Sequence, residues 1–327
     1  MLSLGIGQCA LAQLPMVSGG IGFFSNTNKG STSFSPTVMP LVAIPAGDHL
    51  LFETRLYSLE SVTPRNGESD QTKLFNGLTY LQLDYLATSH ITFVAGKFLT
   101  PFGTYNERLS PIWIDNFQDA PLIFSIGVVS SADTGGEMRG SLFANDKVKV
   151  DYATFFSGNT GQEQFKSSRA TGDRVEAYFP SQRLEVGASY SHMFEGAHPD
   201  ATGMHVWWAP TKVPLTVRSE YAHGTHSQGY WIEAGYRLSQ FNGRDSWIGR
   251  TEPLFRMQQT FRNSPDPTDG LPSVDEQRAD FGLDYFLPHE CRIITSYSRL
   301  FSSTGNGNIW KTGLVYRFLF PAWPGKR

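Results

Sequence analysis

Hydrophobic and polar residues alternate along most of this 327-residue chain, in segments of about ten residues. Along residues 308–320, one set of alternate positions is aromatic or apolar and includes Trp310 and Phe318. The other set contains Lys311 and Arg317. A period of two predicts β-strands with two unlike faces, because successive side chains of a strand point to opposite sides. The alternation recurs in five further segments: 147–156, 183–192, 214–222, 230–239 and 278–287.

Short and long connections follow one another along the chain. Short ones include "PAGDH", "ANDK" and "LPHE", and longer polar ones include "TPRNGESDQTK" and "SSTGNGN". An even strand number, with short turns at one end and longer loops at the other, is typical of bacterial outer-membrane barrels. The sequence therefore predicts an all-β fold, a transmembrane antiparallel β-barrel of sixteen strands. The predicted strands start near residues 17, 31, 48, 73, 90, 135, 147, 172, 183, 203, 213, 228, 249, 275, 290 and 308.

Two segments fit this pattern poorly. Pro36 and Pro40 lie within the second predicted strand, where each proline removes a hydrogen-bond donor from the ladder. Residues 239–250 are long for a connection at the short-turn end of the barrel. The expected strand number is therefore sixteen to within about two strands.

The two faces of each strand need separate assignment, because a soluble β-sandwich alternates as well. The polar faces here carry opposed charges and glycine, and Tyr57, Tyr152 and Trp310 lie near strand ends. A polar interior and aromatic girdles at both membrane interfaces are features of outer-membrane barrels. No run of about 18 apolar residues predicts a membrane-spanning helix. We expect the apolar faces to contact lipid and the charged faces to line a water-filled lumen.

The N-terminal residues predict a secretory signal peptide over residues 1–12. The apolar run ends in Ala10-Leu11-Ala12, a small-x-small cleavage pattern before Gln13. No Lys or Arg precedes this run, so we expect the native start to lie upstream. A buried N-terminal strand is the alternative. Residues 13–327 are expected to form a single barrel domain in a bacterial outer membrane.

The alternation stops after the fifth predicted strand. Residues 100–135 contain apolar and aromatic side chains without a clear amphipathic strand. A loop of this length and composition is expected to pack on the protein. We predict that it is the third external loop, folded inward as a constriction loop, with a further strand at "PLIFSIGVV" as the alternative. The candidate constriction residues are Tyr105, Asn106, Glu107, Arg108, Asp115, Asn116 and Asp119.

The stretch "VAGKFLTPFGTYNERLSP" resembles the strand-and-loop signature of the phosphate-selective porin family, porins O and P and their relatives. In that family a G-[KRQ]-F strand leads into a P-F-[GS] turn. The resemblance implies a sixteen-stranded barrel, a homotrimer and a third loop at the constriction. It does not extend to phosphate as the solute, because those porins have several lysines in this loop, which here offers Arg108 among acids. The matching residues are Gly96, Lys97, Phe98, Pro101, Phe102 and Gly103.

Strand parity places more cations than acids on the polar faces, and rings of Arg and Lys favour anions. The alternative is lateral salt bridging that stiffens the wall with little effect on selectivity. The ten candidate lumen-facing charges are Arg139, Lys147, Lys149, Arg174, Arg218, Arg237, Arg256, Arg278, Lys311 and Arg317. Arg55, Arg262 and Arg292 share that face with the acids Glu53, Asp84, Glu137, Asp151, Glu176, Glu185, Glu220, Glu233, Asp280 and Asp284.

Catalytic and metal-binding motifs are not convincing in this sequence. Asp133-Thr134-Gly135 has no second D-[TS]-G triplet, which an aspartic protease requires. His223 and His226 have no evident third and fourth metal ligands. No nucleophile elbow, P-loop or dinucleotide fingerprint occurs, and a net charge of -3 offers no basic surface for nucleic acid. We predict a protein that is not an enzyme and needs neither cofactor nor metal.

The predicted function is that of a porin, a channel for passive diffusion of small hydrophilic solutes, with a preference for anions. The expected surroundings are outer-membrane lipid and two further copies of the chain in a homotrimer. One alternative is a non-conducting outer-membrane barrel that acts as a scaffold. The other is a secreted soluble β-sheet protein that binds carbohydrate through surface aromatics.

Overall fold

The computed structural model describes residues 15–65, 67, 69–125, 128, 130–195, 200–263 and 273–321. They form a closed antiparallel barrel in which consecutive strands pair and β1 pairs with β16. The predicted all-β barrel of sixteen strands is confirmed, whereas the predicted signal peptide lies outside the described residues. The strands are β1 Met16–Asn28, β2 Ser31–Ala46, β3 Leu50–Thr63, β4 Gln71–Leu86, β5 Thr92–Leu99, β6 Ala132–Ala144, β7 Lys149–Ser157, β8 Ala170–Phe179, β9 Leu184–Met193, β10 Asp200–Trp208, β11 Leu215–Gly224, β12 Ser227–Tyr236, β13 Thr251–Arg262, β14 Glu276–Phe286, β15 Cys291–Ser302 and β16 Gly307–Pro321.

Strand positions agree closely with the predicted ones. The largest offsets are at β6, which begins at Ala132 instead of near 135, and at β10, which begins at Asp200 instead of near 203. Pro36 and Pro40 lie within β2 and pair in register with β1. The β2–β3 register has no partner for either proline, since proline has no N–H to donate to that ladder.

The connections contain the few helical turns of the described chain. A one-turn π-helix, Tyr105–Leu109, and a short α-helix, α1 (Leu122–Ser125), lie between β5 and β6. The described part of "PLIFSIGVV" is therefore helical at α1 instead of forming a strand. A second short helix, α2 (Ser239–Asn242), occupies part of the long connection before β13. Among the described helices, none has the length and apolar character needed to span a membrane.

The outer surface of the barrel is apolar around its whole circumference. Along β16, Trp310 is 59% exposed while the adjacent Lys311 is 4% exposed, as the alternation predicts. A continuous apolar surface of this extent is unfavourable in water. The outer surface of the barrel therefore requires a surrounding apolar phase that covers it. Each strand carries at least one exposed apolar or aromatic side chain, for example Ile21, Val38, Leu56, Leu83, Phe93, Leu142, Phe156, Val175, Tyr190, Met204, Tyr221, Ile232, Phe255, Phe281, Ile293 and Leu314.

Charge on this outer surface should destabilise the barrel. Leu283 in β14 is 43% exposed and pairs across the sheet with Pro253 and Thr295. We expect Leu283→Arg to lower the free energy of unfolding by about 2–4 kcal/mol, the cost of a cation near the bilayer midplane. Denaturant titration of the protein folded in lipid vesicles measures this value. The control is Gln277→Arg, six residues along the same face at the strand end, where we expect at most about 1 kcal/mol. Equal effects at both positions would contradict the assignment of this face to lipid.

Candidate solute channel

Two glycines, one within β5 and one shortly after it, occupy positions where a side chain does not fit. Gly96 has a φ of +124°, and a Cβ atom there would lie 2.4 Å from the carbonyl oxygen of Leu81. Gly103 has a φ of +64°, and its Cβ atom would lie 2.8 Å from the carboxylate of Glu220. Both glycines belong to the G-K-F and P-F-G elements of the sequence. The second glycine brings the start of the β5–β6 connection directly against the barrel wall.

Glu220 in β11 binds the beginning of this connection. Its Oε1 atom accepts hydrogen bonds from the backbone N–H and the hydroxyl of Thr104, the latter at 2.8 Å, and from the N–H of Tyr105 at 2.6 Å. Its Oε2 atom accepts one from the indole N–H of Trp231 at 3.3 Å. Glu220 and Trp231 are both buried. A single carboxylate therefore satisfies two backbone donors at the start of the connection and joins β11 to it.

Two charged residues of the π-helical turn, Glu107 and Arg108, form ion pairs with nearby strands. Glu107 pairs with Arg174 in β8, which is largely buried. Arg108 pairs with Glu185 in β9 at 2.5 Å, and its guanidinium lies 4.5 Å from the centre of the Trp207 ring in β10. These contacts with three strands restrain both charged side chains. They also hold the π-helical turn, which carries Glu107 and Arg108, against the wall.

The middle of the connection is held by hydrogen bonds to β12 and β15. The Asn116 amide donates to Glu233 at 2.8 Å, and its carbonyl oxygen accepts from Arg292 at 3.1 Å. Arg292 also donates to the backbone carbonyl of Asp115 at 2.6 Å. Within the connection, the Tyr105 hydroxyl donates to the Asp115 carboxylate at 2.7 Å. Two predicted residues lie in this region, and both contact the wall. Asp115 does so through its backbone carbonyl and Asn116 through its side-chain amide.

Asp119 is surrounded by cations from three strands. Its carboxylate pairs with Arg278 in β14 at 3.3 Å and with Lys311 in β16. Its backbone carbonyl accepts from Arg256 in β13 at 3.1 Å. Asp280 completes the group, because it pairs with Arg256 at 3.2 Å and with Arg278 at 3.0 Å. The four wall residues of this group are buried, and together they form a network across β13, β14 and β16 that ends on the partly exposed Asp119 of the connection.

Two cavities lie where the connection faces β2 to β6. One has a volume of about 710 Å³ and is lined by residues near the long-loop end, including Asn76 and Lys97. The other has a volume of about 520 Å³ and includes Glu53 and Arg139, nearer the short turns. Arg55 and Leu99 line both cavities, so these two residues lie between the two spaces. A third cavity of about 590 Å³ opens at the short-turn end, lined by Arg108, Lys149, Asp151, Glu176, Tyr178, Arg183, Glu185, Trp207, Ala209, Thr216 and Arg218.

The seven residues predicted for the constriction all lie in the β5–β6 connection but do not meet at one point, because Glu107 pairs with Arg174 in β8 whereas Asp119 pairs with Lys311 in β16. Asn106 differs from the other six, because its amide donates to the Thr100 and Ser131 carbonyls and so ties together the two ends of the connection. The connection covers residues 100–131, somewhat shorter than predicted, since β6 starts at Ala132. Ser110, which was not among the predicted residues, accepts a hydrogen bond from Arg55 at 3.3 Å. A serine in a polar loop has no distinguishing sequence signal, so only the geometry identifies it.

Most of the predicted lumen-facing cations are paired with carboxylates. Lys147 lies on the turn between β6 and β7 instead of on a strand face, and Arg317 is exposed beside the 520 Å³ cavity. This lateral pairing matches the wall-stiffening alternative and leaves few of these cations without an opposing charge. The pairs are Arg139–Asp84, Lys149–Asp151, Arg174–Glu107, Arg218–Glu233, Arg237–Glu252, Arg256–Asp280, Arg278–Asp280 and Lys311–Asp119.

Solved structures with this fold are outer-membrane barrels. The high-pH structure of OprB from Pseudomonas putida matches with a TM-score of 0.64 and 10% sequence identity, covering 94% of this chain and 94% of that one. A loop L8 deletion mutant of OmpT, an outer membrane protein of Vibrio cholerae, matches with a TM-score of 0.58 and 9% identity over 94% of this chain and 100% of that one. OccK11 from Pseudomonas aeruginosa matches with a TM-score of 0.53 and 9% identity, over 94% and 96%.

These similarities concern the fold, since the sequence identities are low. No protein-family model matches the chain. No curated protein sequence matches it either. The closed sixteen-strand barrel, its even strand number and its apolar exterior together define a protein of the bacterial outer-membrane β-barrel class. The more specific assignment to the porin O and P family stays a prediction that rests on the sequence resemblance.

Proposed function

We propose that this protein is an outer-membrane porin through which small hydrophilic solutes diffuse passively, without a chemical step. The observation that carries this proposal is the pair of cavities between the two ends of the barrel that have Arg55 and Leu99 in common in their walls. The OprB and OccK11 structures have the same fold, which is compatible with a channel. Recording from the purified protein in planar lipid bilayers tests the proposal, and absence of conductance steps would favour the non-conducting scaffold.

The β5–β6 connection is proposed as the constriction of this channel. Its polar contacts join it mainly to β8, β9 and β11–β16, through the ion pairs and hydrogen bonds described above. On the side of β3, the described contact is the single hydrogen bond from Arg55 to Ser110. A connection tied to one half of the wall leaves the free space along the other half. The solute route therefore runs between the connection and β2–β6, past Arg55.

Arg55 supports a preference for anions at this narrow part. Its guanidinium donates to the Ser110 hydroxyl and lies 5.1 Å from the centre of the Tyr80 ring, and neither group carries a negative charge. Within the described part of the chain, Arg55 forms no ion pair, unlike most cations of the wall. A cation without an opposing carboxylate attracts anions more effectively than a paired one. We therefore propose that Arg55 contributes more to selectivity than the paired Arg218, Arg237 and Arg256.

Substitution of Arg55 should change both conductance and selectivity. We expect Arg55→Ala to shift the reversal potential in a KCl gradient toward cation preference and to raise the single-channel conductance, because a charge and a bulky side chain leave the narrow part. The matched control is Lys212→Gln on the exposed β10–β11 turn, which also removes one positive charge. An unchanged reversal potential in Arg55→Ala would contradict the proposed role, as would an equal shift in the Lys212 variant.

The remaining expectations for solute and assembly are proposals of the same kind. Phosphate selectivity lacks support, because Arg108 is the one basic residue among Tyr105–Asp119 and is paired with Glu185.

A homotrimer follows from the family resemblance, and the mass of the detergent-solubilised protein after correction for bound detergent tests it. The apolar exterior argues against the soluble carbohydrate-binding alternative, which requires a protein that stays in solution without detergent.

A further inference from the structure

A histidine and two glutamates meet at one point of the wall, away from the Arg55 route. Glu176 in β8 pairs in register with Gly187 in β9, which pairs in register with His205 in β10. The glycine leaves space over the middle strand, since a Cβ atom at position 187 would lie 2.6 Å from His205 Nε2. The imidazole therefore extends across β9 toward Glu176. Glu185, two residues before the glycine on the same face, completes the group.

His205 lacks hydrogen-bond partners although it is buried. Its side chain is 0% exposed, and neither Nδ1 nor Nε2 has a hydrogen-bond partner among the residues that the structure describes. Burial of such a group without a partner is unfavourable, because it loses its hydrogen bonds to water and gains none in return. A metal ion is a ligand that removes this cost for one ring nitrogen, because a neutral imidazole nitrogen is a common metal ligand.

The distances in this group suit a tetrahedral metal centre. His205 Nε2 lies 3.7 Å from Glu185 Oε1 and 3.8 Å from Glu176 Oε2, and one ligand atom from each of the three lies within 4.8 Å of the others. Ligand atoms bound to zinc at about 2.0–2.2 Å are roughly 3.4 Å apart in tetrahedral geometry. The three side chains would therefore each have to move by less than about 1 Å to bind one ion.

Two arginines compete for the same carboxylates. Arg174 approaches Glu176 Oε2 at 3.3 Å, but that oxygen has no hydrogen-bond partner, so the contact is an ion pair without hydrogen-bond geometry. Arg108 contacts Glu185 Oε1 at 2.5 Å. Each arginine has a second partner that would remain if its carboxylate bound a metal, namely Glu107 for Arg174 and the Trp207 ring for Arg108.

We propose that Glu176, Glu185 and His205 form a binding site for a zinc-type divalent cation. Both glutamates line the 590 Å³ cavity at the short-turn end, so an ion can reach them from solvent and a water molecule can take the fourth position. One nitrogen and two carboxylate oxygens suit a first-row ion of intermediate softness better than Mg²⁺ or Ca²⁺, which prefer oxygen ligands alone. This site does not depend on whether the barrel conducts solutes.

Isothermal titration of the detergent-solubilised protein, prepared without a polyhistidine tag, tests the site with ZnCl₂. We expect one Zn²⁺ per chain, and at least about a tenfold weaker affinity in His205→Gln and in Glu185→Gln, because each loses one ligand. The matched control is His192→Gln, in which an exposed histidine 3.0 Å from Asp200 is replaced. This control should bind Zn²⁺ as the wild type does.

The outcomes separate the site from adventitious binding. Absence of stoichiometric Zn²⁺ binding to the wild type overturns the proposal, as does unchanged affinity in a folded His205→Gln protein, judged by its heat-modifiable migration on gels. If that variant fails to fold, Glu185→Gln decides. Titration of the wild type with Co²⁺ needs no variant, and the intense visible absorption of four-coordinate cobalt supports the site while its absence overturns it.

Discussion

Replacement of Glu220 by alanine should release the start of the β5–β6 connection from the wall. Four donors, from Thr104, Tyr105 and Trp231, lose their acceptor, and each buried donor without a partner costs about 1–3 kcal/mol. Water in the lumen restores part of this loss, so we expect the free energy of unfolding to fall by about 3–5 kcal/mol. Single-channel recording should show higher conductance and frequent transitions between levels, since the proposed constriction is no longer held against β11.

The control for this variant is Glu252→Ala. Glu252 is also a wall glutamate, although it is only partly buried. It pairs with Arg237 at 3.9 Å near the short turns and has no described contact with the connection. It should lower stability by less and leave the conductance steady. If Glu220→Ala gives the wild-type conductance with equally steady levels, the connection does not narrow the channel, even when the stability loss is as expected.

Replacement of Asp280 by alanine should destabilise the barrel by a similar amount through a different mechanism. Asp280 is buried and pairs with Arg256 and Arg278, and its Oδ2 atom accepts from Gln258 at 2.6 Å. Removal of one partner from a buried charge network costs about 3–5 kcal/mol, because the remaining charges stay buried without compensation. Denaturant titration in lipid vesicles measures the loss. We expect a smaller loss for Asp280→Asn, which keeps the side-chain shape and one acceptor.

The matched control for Asp280 is Asp151→Ala. Asp151 also pairs with a cation of the wall, Lys149 at 2.7 Å, but that lysine is largely exposed. An exposed pair contributes only about 0–1 kcal/mol, so the loss should be small. Similar losses in the two alanine variants would show that the buried network adds no more than an exposed pair does.

The strands, their number and their two faces could be predicted from the amino-acid sequence alone. This was possible because a strand in a closed membrane barrel has to keep one apolar face along its whole length, which leaves a period of two in the sequence. The same constraint made the positions of Trp310 and Lys311 on opposite faces predictable. The break in alternation after β5 showed that the following residues, such as Tyr105 and Asp119, do not belong to a strand.

Which of the charged residues oppose one another could not be predicted without the three-dimensional fold. Residues far apart in the chain meet across the barrel, such as Glu220 with Thr104 and Asp119 with Lys311. Strand parity identifies the face of a side chain but not its partner, because the partner depends on the fold of an irregular connection. For the same reason, the sequence could not indicate that Arg55 has no carboxylate partner among the described residues. It also could not indicate that the register across three strands brings Glu176, Gly187 and His205 into one row.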